Sequence, residues 1–178
     1  MTTIPLEPIE SVTITMLMDN SSDMLLQSQG PANRPSLSGD NARVAARFLE
    51  NGEGRNSLIA EHGFSALVAV TKDEYVYRIL FDAGVSPTGV VENMRRLELS
   101  PKDIETMVMS HGHFDHTVGL DGLTSALGGT VNLPVMIHPE FWSRRRIAIP
   151  GRSPSELPVA SKPALVGAGF EIIENRQP

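Results

Sequence analysis

The chain of 178 residues contains no cysteine. This absence excludes a disulfide framework and any thiolate metal site, so a metal could be held only by histidine and carboxylate side chains. Basic residues are also in the minority, because 15 Lys and Arg face 21 Asp and Glu, for a formal net charge of -6. Such a balance argues against a general nucleic-acid surface and gives no attraction to anionic membranes.

Long apolar runs are also missing. No stretch approaches the roughly 20 apolar residues of a membrane span. The N-terminus lacks the basic start and apolar run of a signal peptide. We therefore expect a cytoplasmic protein without membrane contacts. A hydrophobic content of 40% and a charged content of 20% are typical of a globular protein, and residues 1–178 suit a single domain.

The order of predicted elements indicates an α/β fold. Helical patterns follow the third predicted strand and a histidine-rich motif, so a mixed sheet with helices is expected. Alternating or β-branched stretches predict strands over residues 11–19, 64–71, 75–82, 106–109, 131–138 and 169–174. One further helix is expected within residues 40–52, where Asp40 can cap the start and Gly52 can end it. Val44, Phe48 and Leu49 would share its apolar face.

The stretch SHGHFDH, Ser110 to His116, holds three of the five histidines of the chain. Residues two apart in an extended segment point to the same side, so His111 and His113 can reach one cation. If the chain then turns into a helix, Asp115 and His116 can swing towards a second position beside the first. The alternative is a polar loop that contains histidines by chance, but four ligand-type residues at this spacing favour a metal site.

Histidine and aspartate ligands suit a borderline cation. Zn²⁺ is the expected metal, as one or two ions, with Fe or Mn as alternatives. The motif follows a predicted strand and precedes a predicted helix, which is where α/β folds build their sites.

SHGHFDH resembles the signature of the metallo-β-lactamase-fold hydrolases, and LFDAG (residues 80–84) resembles the strand-end element that precedes it in them. MLMDN and EHGFS resemble the branch that includes 7,8-dihydropterin-6-methyl-4-(ribofuranosyl)aminobenzene-phosphate synthases. The resemblance implies an αββα sandwich with the metal site at one edge of its two sheets. It covers residues from about 11 to 174.

The resemblance also implies a function: a metal-bound hydroxide attacks a small-molecule substrate, phosphorylated or pterin-like in this branch. His111 and His113 would bind one ion, and Asp115 and His116 the second. With a single ion, Asp115 would be catalytic by orienting the water or carrying a proton. Two neighbouring cations lower the pKa of bound water and stabilise both the attacking and the leaving oxygen.

Three further residues are candidates for supporting roles. Asp82 ends a predicted strand and can either bond the next turn or fix the tautomer of a ligand histidine, and we favour the second role. His62 is read as a loop residue, with a substrate contact as the alternative. His138 ends a strand and could line the same sheet edge, although its spacing does not make it a ligand.

The family pattern needs more ligands than this sequence supplies, because its later ligands follow the signature and no histidine comes after His138. We therefore expect roughly the N-terminal half of the sandwich, with the remaining half or another copy of the chain as partner. The chain could be a fragment, one half of a split enzyme, or a self-associating protein that has lost catalysis. Two other functions stay open, a non-catalytic metal-binding or interaction module and a di-iron redox protein.

Overall fold

A computed structural model describes residues 6–176. These residues form ten strands and four helices, with five strands preceding the first helix. The strands are β1 Ser11–Met18, β2 Arg43–Ala45, β3 Glu53–Arg55, β4 Ser65–Lys72, β5 Tyr75–Phe81, β6 Thr106–Val108, β7 Leu133–Ile137, β8 Arg146–Ile147, β9 Ser155–Glu156 and β10 Phe170–Glu174. The helices are α1 Gly89–Arg96, α2 Phe114–Thr117, α3 Leu120–Ala126 and α4 Lys162–Gly167.

Six strands form one mixed sheet in the order β1-β4-β5-β6-β7-β10. β1, β4 and β5 are antiparallel neighbours, whereas β5, β6, β7 and β10 run parallel. The predicted α/β class with a mixed sheet is therefore confirmed. Parallel strands place their carboxyl ends at one edge of the sheet, so the residues that follow β5 and β6 are neighbours there.

The main core lies between the sheet and its helices. The register aligns Leu67, Leu80, Met107 and Val135 as a row across four strands, and all four are buried. Each such side chain contributes about 1.5–3 kcal/mol by leaving water. The fully buried Asn93 ties α1 to this layer, because its amide donates to the Leu17 carbonyl at 2.7 Å.

The opposite face of the sheet is apolar and partly exposed. Val12, Ile14 and Met16 alternate along β1 and are 48%, 62% and 42% exposed. Tyr77 on β5 and Met136 on β7 lie on the same face by register and are also exposed. Contiguous apolar surface of this kind is unusual on a soluble monomer.

The expected helix within residues 40–52 is wrong. A 3-10 turn at Gly39–Ala42 is followed by a small hairpin of β2 and β3. Val44, Phe48 and Leu49 are all exposed, so their helical spacing does not define a buried face. The Arg47 guanidinium lies over the Phe48 ring at 4.4 Å, which gives that ring a local contact instead.

Among residues 6–176, none of the helices has both the length and the apolar character needed to cross a membrane.

Candidate metal centre

The motif lies where two adjacent parallel strands end. Phe81 of β5 pairs with Val108 of β6, so Asp82 and Ser110 leave the sheet at the same edge. The main chain then turns into α2, whose first turn contains Asp115 and His116. The segment after β5 runs beside this helix, because the Ala83 N–H donates to the His116 carbonyl at 2.8 Å.

Asp82 is the buried anchor of the motif. Its side chain is only 1% exposed, and its backbone has a φ of 54°, in the left-handed region that non-glycine residues rarely adopt. Oδ1 accepts the Ser110 backbone N–H at 2.8 Å, and Oδ2 accepts the Ser110 hydroxyl at 2.6 Å. Oδ2 also lies 2.7 Å from His116 Nδ1. The carboxylate therefore fixes both the start of the motif and one of its imidazoles.

The three motif histidines form one cluster. His111 Nε2 and His113 Nδ1 lie 2.9 Å apart. The ring of His111 also lies close to that of His116, with centroids 4.3 Å apart. Since Nδ1 of His116 faces Asp82, its Nε2 is the nitrogen left for other partners. That Nε2 lies 3.7 Å from Asp115 Oδ2.

Asp115 lies between His116 and His62. His62 Nε2 is 3.2 Å from Asp115 Oδ2, although the His62 side chain is 76% exposed. Two contacts hold this loop in place. The Glu61 carboxylate accepts the Ser86 N–H at 3.0 Å, and Gly63 packs so closely that a Cβ there would lie 2.2 Å from the Asp115 carbonyl oxygen. His62 thus lies beside the cluster. The sequence favoured a plain loop residue at this position, with a substrate contact as the alternative.

The cluster disfavours extra positive charge on His111. Partial burial is the main cause that lowers the pKa of this imidazole below its usual value. Neighbouring His116 and His113 act in the same direction, and the charges of Asp82 and Asp115 oppose them. A neutral imidazole with a free lone pair is the form that binds a metal.

Gly112 allows the motif to pack against the turn after β7. A Cβ at this position would lie 2.0 Å from the Phe141 carbonyl oxygen, which leaves room only for glycine. Arg145 closes the same turn, because its guanidinium donates to the Ser143 carbonyl at 3.0 Å and to the Glu140 carbonyl at 3.2 Å. The spacing His-Gly-His therefore has a packing cause as well as a chemical one.

His138 takes a structural position in this fold. Its Nδ1 accepts the Glu140 N–H at 3.2 Å and caps the 3-10 turn Pro139–Trp142.

A separate open cleft of about 740 Å³ lies beside the β2-β3 hairpin, lined by residues such as Leu37, Asp40 and Glu53. It is a surface groove of the hairpin and includes none of the motif side chains.

The donor types fit a borderline cation, since three imidazoles and one carboxylate meet at a sheet edge. The nitrogen atoms of His111 and His113 are spaced as in a direct hydrogen bond, more closely than two ligands of one ion. Two nitrogens on one tetrahedral zinc ion lie about 3.3 Å apart, and the observed separation of His111 Nε2 and His113 Nδ1 is 2.9 Å. In the described part of the chain, no three His, Cys, Asp or Glu side chains form a group with metal-binding geometry. The imidazoles must separate by a few tenths of an ångström to share an ion.

Sequence reasoning missed two residues of this site, Ser110 and Glu61. Ser110 stands inside the motif, but its role depends on a carboxylate 28 positions away. The signal was available in part, because Asp82 and Ser110 both follow strands that the sequence predicts. Their pairing required knowing that those two strands are adjacent.

Comparison with curated proteins finds partial relatives. The chain is 34% identical over 104 residues to a 7,8-dihydropterin-6-methyl-4-(beta-D-ribofuranosyl)-aminobenzene-5'-phosphate synthase of Methanocaldococcus jannaschii, which covers 58% of this chain and 34% of the relative. It is 36% identical over 74 residues to an uncharacterized protein of the same organism, covering 42% of this chain and 27% of that protein. The chain thus spans about a third or less of the length of these relatives.

Solved structures with a similar arrangement include the Rm3 metallo-beta-lactamase, at a TM-score of 0.41 and 20% identity, covering 67% of this chain and 41% of that one. A metallo-beta-lactamase of Cronobacter sakazakii matches at a TM-score of 0.37 and 25% identity, covering 48% of this chain and 30% of that one.

The family assignment comes from a sequence model that spans the site. The model of the metallo-beta-lactamase superfamily matches residues 61–174, which include Glu61, Asp82 and the whole of SHGHFDH. This range is more than half of the chain. The resemblance inferred from the motif is therefore confirmed, and the chain belongs to the metallo-beta-lactamase superfamily.

Proposed function

We propose that this chain supplies part of the active site of a metal-dependent hydrolase. The observation that carries the proposal is the convergence of His111, His113, Asp115 and His116 at the carboxyl edge of the sheet, with Asp82 behind them. A superfamily of enzymes, often hydrolytic, is the setting in which this cluster occurs. One named relative is a synthase, so the reaction type is part of the proposal.

We assign the ligands as follows. His111 and His113 would hold one ion, and Asp115 and His116 would hold a second. Zinc is the expected metal, because imidazole and carboxylate donors suit it and no cysteine is present. A bound divalent cation supplies Lewis-acid chemistry and lowers the pKa of a water molecule towards neutrality.

The side chains of this chain have their own tasks in the proposed reaction. Asp115 is 14% exposed, and when only one ion is bound its Oδ2, the oxygen that faces both His62 and His116, can orient a water molecule or carry a proton. His62 is mostly exposed beside that carboxylate, so it can contact a substrate that approaches the edge of the sheet. Asp82 holds His116 Nδ1 and keeps the opposite nitrogen available.

The proposed substrate is a small molecule with a phosphate ester or a pterin-like ring. Support comes from the name of the 34% identical relative, because the compound in that name contains both a dihydropterin and a ribofuranosyl phosphate. The cluster lies at the edge of the sheet beside the His62 side chain, which is 76% exposed, so a small molecule can reach it.

The test uses two histidine variants of the same chain. Zn²⁺ binding is measured by calorimetry for the wild type, His113→Ala and His138→Ala, together with hydrolysis of bis(p-nitrophenyl) phosphate. We expect His113→Ala to weaken zinc binding at least tenfold, and His138→Ala, which alters an imidazole outside the cluster, to match the wild type. Equal binding by all three would refute the ligand assignment. Because the chain supplies only part of the proposed site, turnover is measured with the remaining half of the fold supplied, and zinc binding without turnover in that complex would refute the hydrolase and favour the non-catalytic metal-binding module.

A further inference from the structure

Ser110 lies between the buried carboxylate of Asp82 and the imidazole of His111. Its Oγ is 2.6 Å from Asp82 Oδ2 and 2.9 Å from His111 Nδ1. The same Asp82 Oδ2 also lies 2.7 Å from His116 Nδ1. A single carboxylate oxygen is therefore linked to two imidazoles, directly in one case and through a hydroxyl in the other.

The directions of these hydrogen bonds follow from their chemistry. An ionised carboxylate only accepts, so the Ser110 hydroxyl donates its one proton to Asp82. The hydroxyl oxygen then has only lone pairs to offer His111, and Nδ1 of His111 must carry the proton of that contact. His116 Nδ1 donates to Asp82 by the same reasoning. Each ring, when neutral, is then unprotonated at Nε2, and Nε2 of His111 accepts from His113 Nδ1 at 2.9 Å.

We propose that Ser110 is a positioning residue. Because its hydroxyl donates to Asp82, its oxygen can only accept from His111, so that one carboxylate sets the tautomers of two ligand imidazoles. The inference rests on the proposed function for its purpose, because an unprotonated Nε2 is what a metal needs from each ring. It goes further by giving the serine of the motif a role that Asp82 alone cannot fill.

The Ser110 hydroxyl can be removed while the backbone hydrogen bond of the same residue is kept. The backbone N–H of Ser110 donates to Asp82 Oδ1 at 2.8 Å, and this bond does not involve the side-chain oxygen. Ser110→Ala therefore removes the relay together with the hydroxyl's own bond to Asp82 Oδ2, and Ser110→Thr keeps both. His116 is an internal reference, because its contact with Asp82 does not pass through Ser110.

The decisive measurement reads the tautomers without any metal. Long-range ¹H–¹⁵N correlation spectra of chelator-treated protein with ¹⁵N-labelled histidine show which ring nitrogen carries the proton. We expect His111 and His116 both to be protonated at Nδ1 in the wild type. In Ser110→Ala, His111 shifts towards the Nε2-protonated form and His116 stays unchanged, and Ser110→Thr restores the wild-type pattern.

Zinc affinity gives the second readout, with an expected loss of about tenfold in Ser110→Ala and less than twofold in Ser110→Thr. An Nε2-protonated His111 in the wild type overturns the proposal, and so does an unchanged His111 tautomer in Ser110→Ala. These outcomes are independent of the proposed function, which fails instead if His113→Ala binds zinc like the wild type.

Discussion

Oδ2 of Asp82 and Nδ1 of His116 lie 2.7 Å apart, although 34 positions separate the two residues in the sequence. The contact joins the end of β5 to the first turn of α2, and the carboxylate is almost completely buried there. A buried carboxylate with three hydrogen-bonding partners influences stability and site geometry together.

Asp82→Asn should therefore lower both the stability of the fold and the zinc affinity of the site. The amide nitrogen places donors where Ser110 or His116 already donates, so at least one buried donor loses its acceptor. We expect the free energy of unfolding to fall by about 2–4 kcal/mol, as measured by urea denaturation, and zinc affinity to fall by about 10–100-fold. Asp121→Asn, at an exposed carboxylate in α3, is the matched control and should change neither quantity. An Asp82→Asn protein as stable as the wild type contradicts the role of this carboxylate.

Gly112→Ala should displace the motif from the turn after β7. The new Cβ would lie 2.0 Å from the Phe141 carbonyl oxygen, and a backbone atom cannot move aside cheaply. We expect a loss of about 1–3 kcal/mol in thermal or urea unfolding. Gly167→Ala serves as the control, because nothing lies within 4 Å of the Cβ position in α4. Similar stability of the two variants would show that the close approach at Gly112 is unimportant.

Glu92 gives a pH-dependent prediction away from the site. Hydrogen bonding by Arg95 is the main cause that lowers the pKa of this carboxyl to about 2 from an ordinary 4.5, with Arg96 acting in the same direction. Because the folded-state pKa is lowered, the stabilisation is complete above about pH 4.5 and is lost as the pH falls towards 2. Glu92 is partly exposed, so its contribution is about 1 kcal/mol at most.

The measurement compares Glu92→Gln with the wild type by urea denaturation from pH 7 to pH 2. We expect the variant to be less stable at neutral pH and the difference to disappear towards pH 2. Glu171→Gln, at an exposed carboxylate on β10, is the control and should show no such trend. A difference that stays constant across the range would contradict the assignment to this ionisation.

The exposed face of the sheet predicts self-association. From strand spacing and rise this face measures about 600 Å², so two copies would bury about 1,200 Å², the lower limit of stable interfaces. We expect a concentration-dependent dimer in light scattering, which Ile14→Lys abolishes. Leu25→Lys changes an apolar side chain that is 88% exposed and lies outside this sheet, and it should leave the dimer intact. A monomer at all concentrations would show that the face does not pair with itself.

Much of the sheet could be predicted because its strands carry local signals. The expected strands over residues 11–19 and 75–82 match β1 and β5 closely, and a two-residue turn joins β4 to β5. Asp73 and Glu74 form that turn with φ values of 51° and 64°, the left-handed pair of a tight hairpin. Alternating apolar residues and turn residues are sufficient to predict neighbouring strands that are consecutive in the chain.

The remainder depended on long-range contacts. The apolar spacing of Val44, Phe48 and Leu49 predicted a helix, but these side chains have no core to face and the segment forms a hairpin instead. The motif could be predicted as a candidate metal site from its spacing, and that assignment stays a prediction. The roles of Ser110 and the approach of His62 could not, because each depends on a partner brought close by tertiary structure.

The pairing of Phe81 with Val108 also has a thermodynamic consequence. The carboxylate that orients His116 and the imidazole itself are neighbours only when β5 and β6 are joined, so an unfolded chain or an isolated SHGHFDH peptide lacks the arrangement. A ligand that needs this arrangement binds the native state alone, and by mass action it raises the unfolding temperature in proportion to the logarithm of its concentration. The assembly of the sheet and the affinity of the site are therefore coupled quantities.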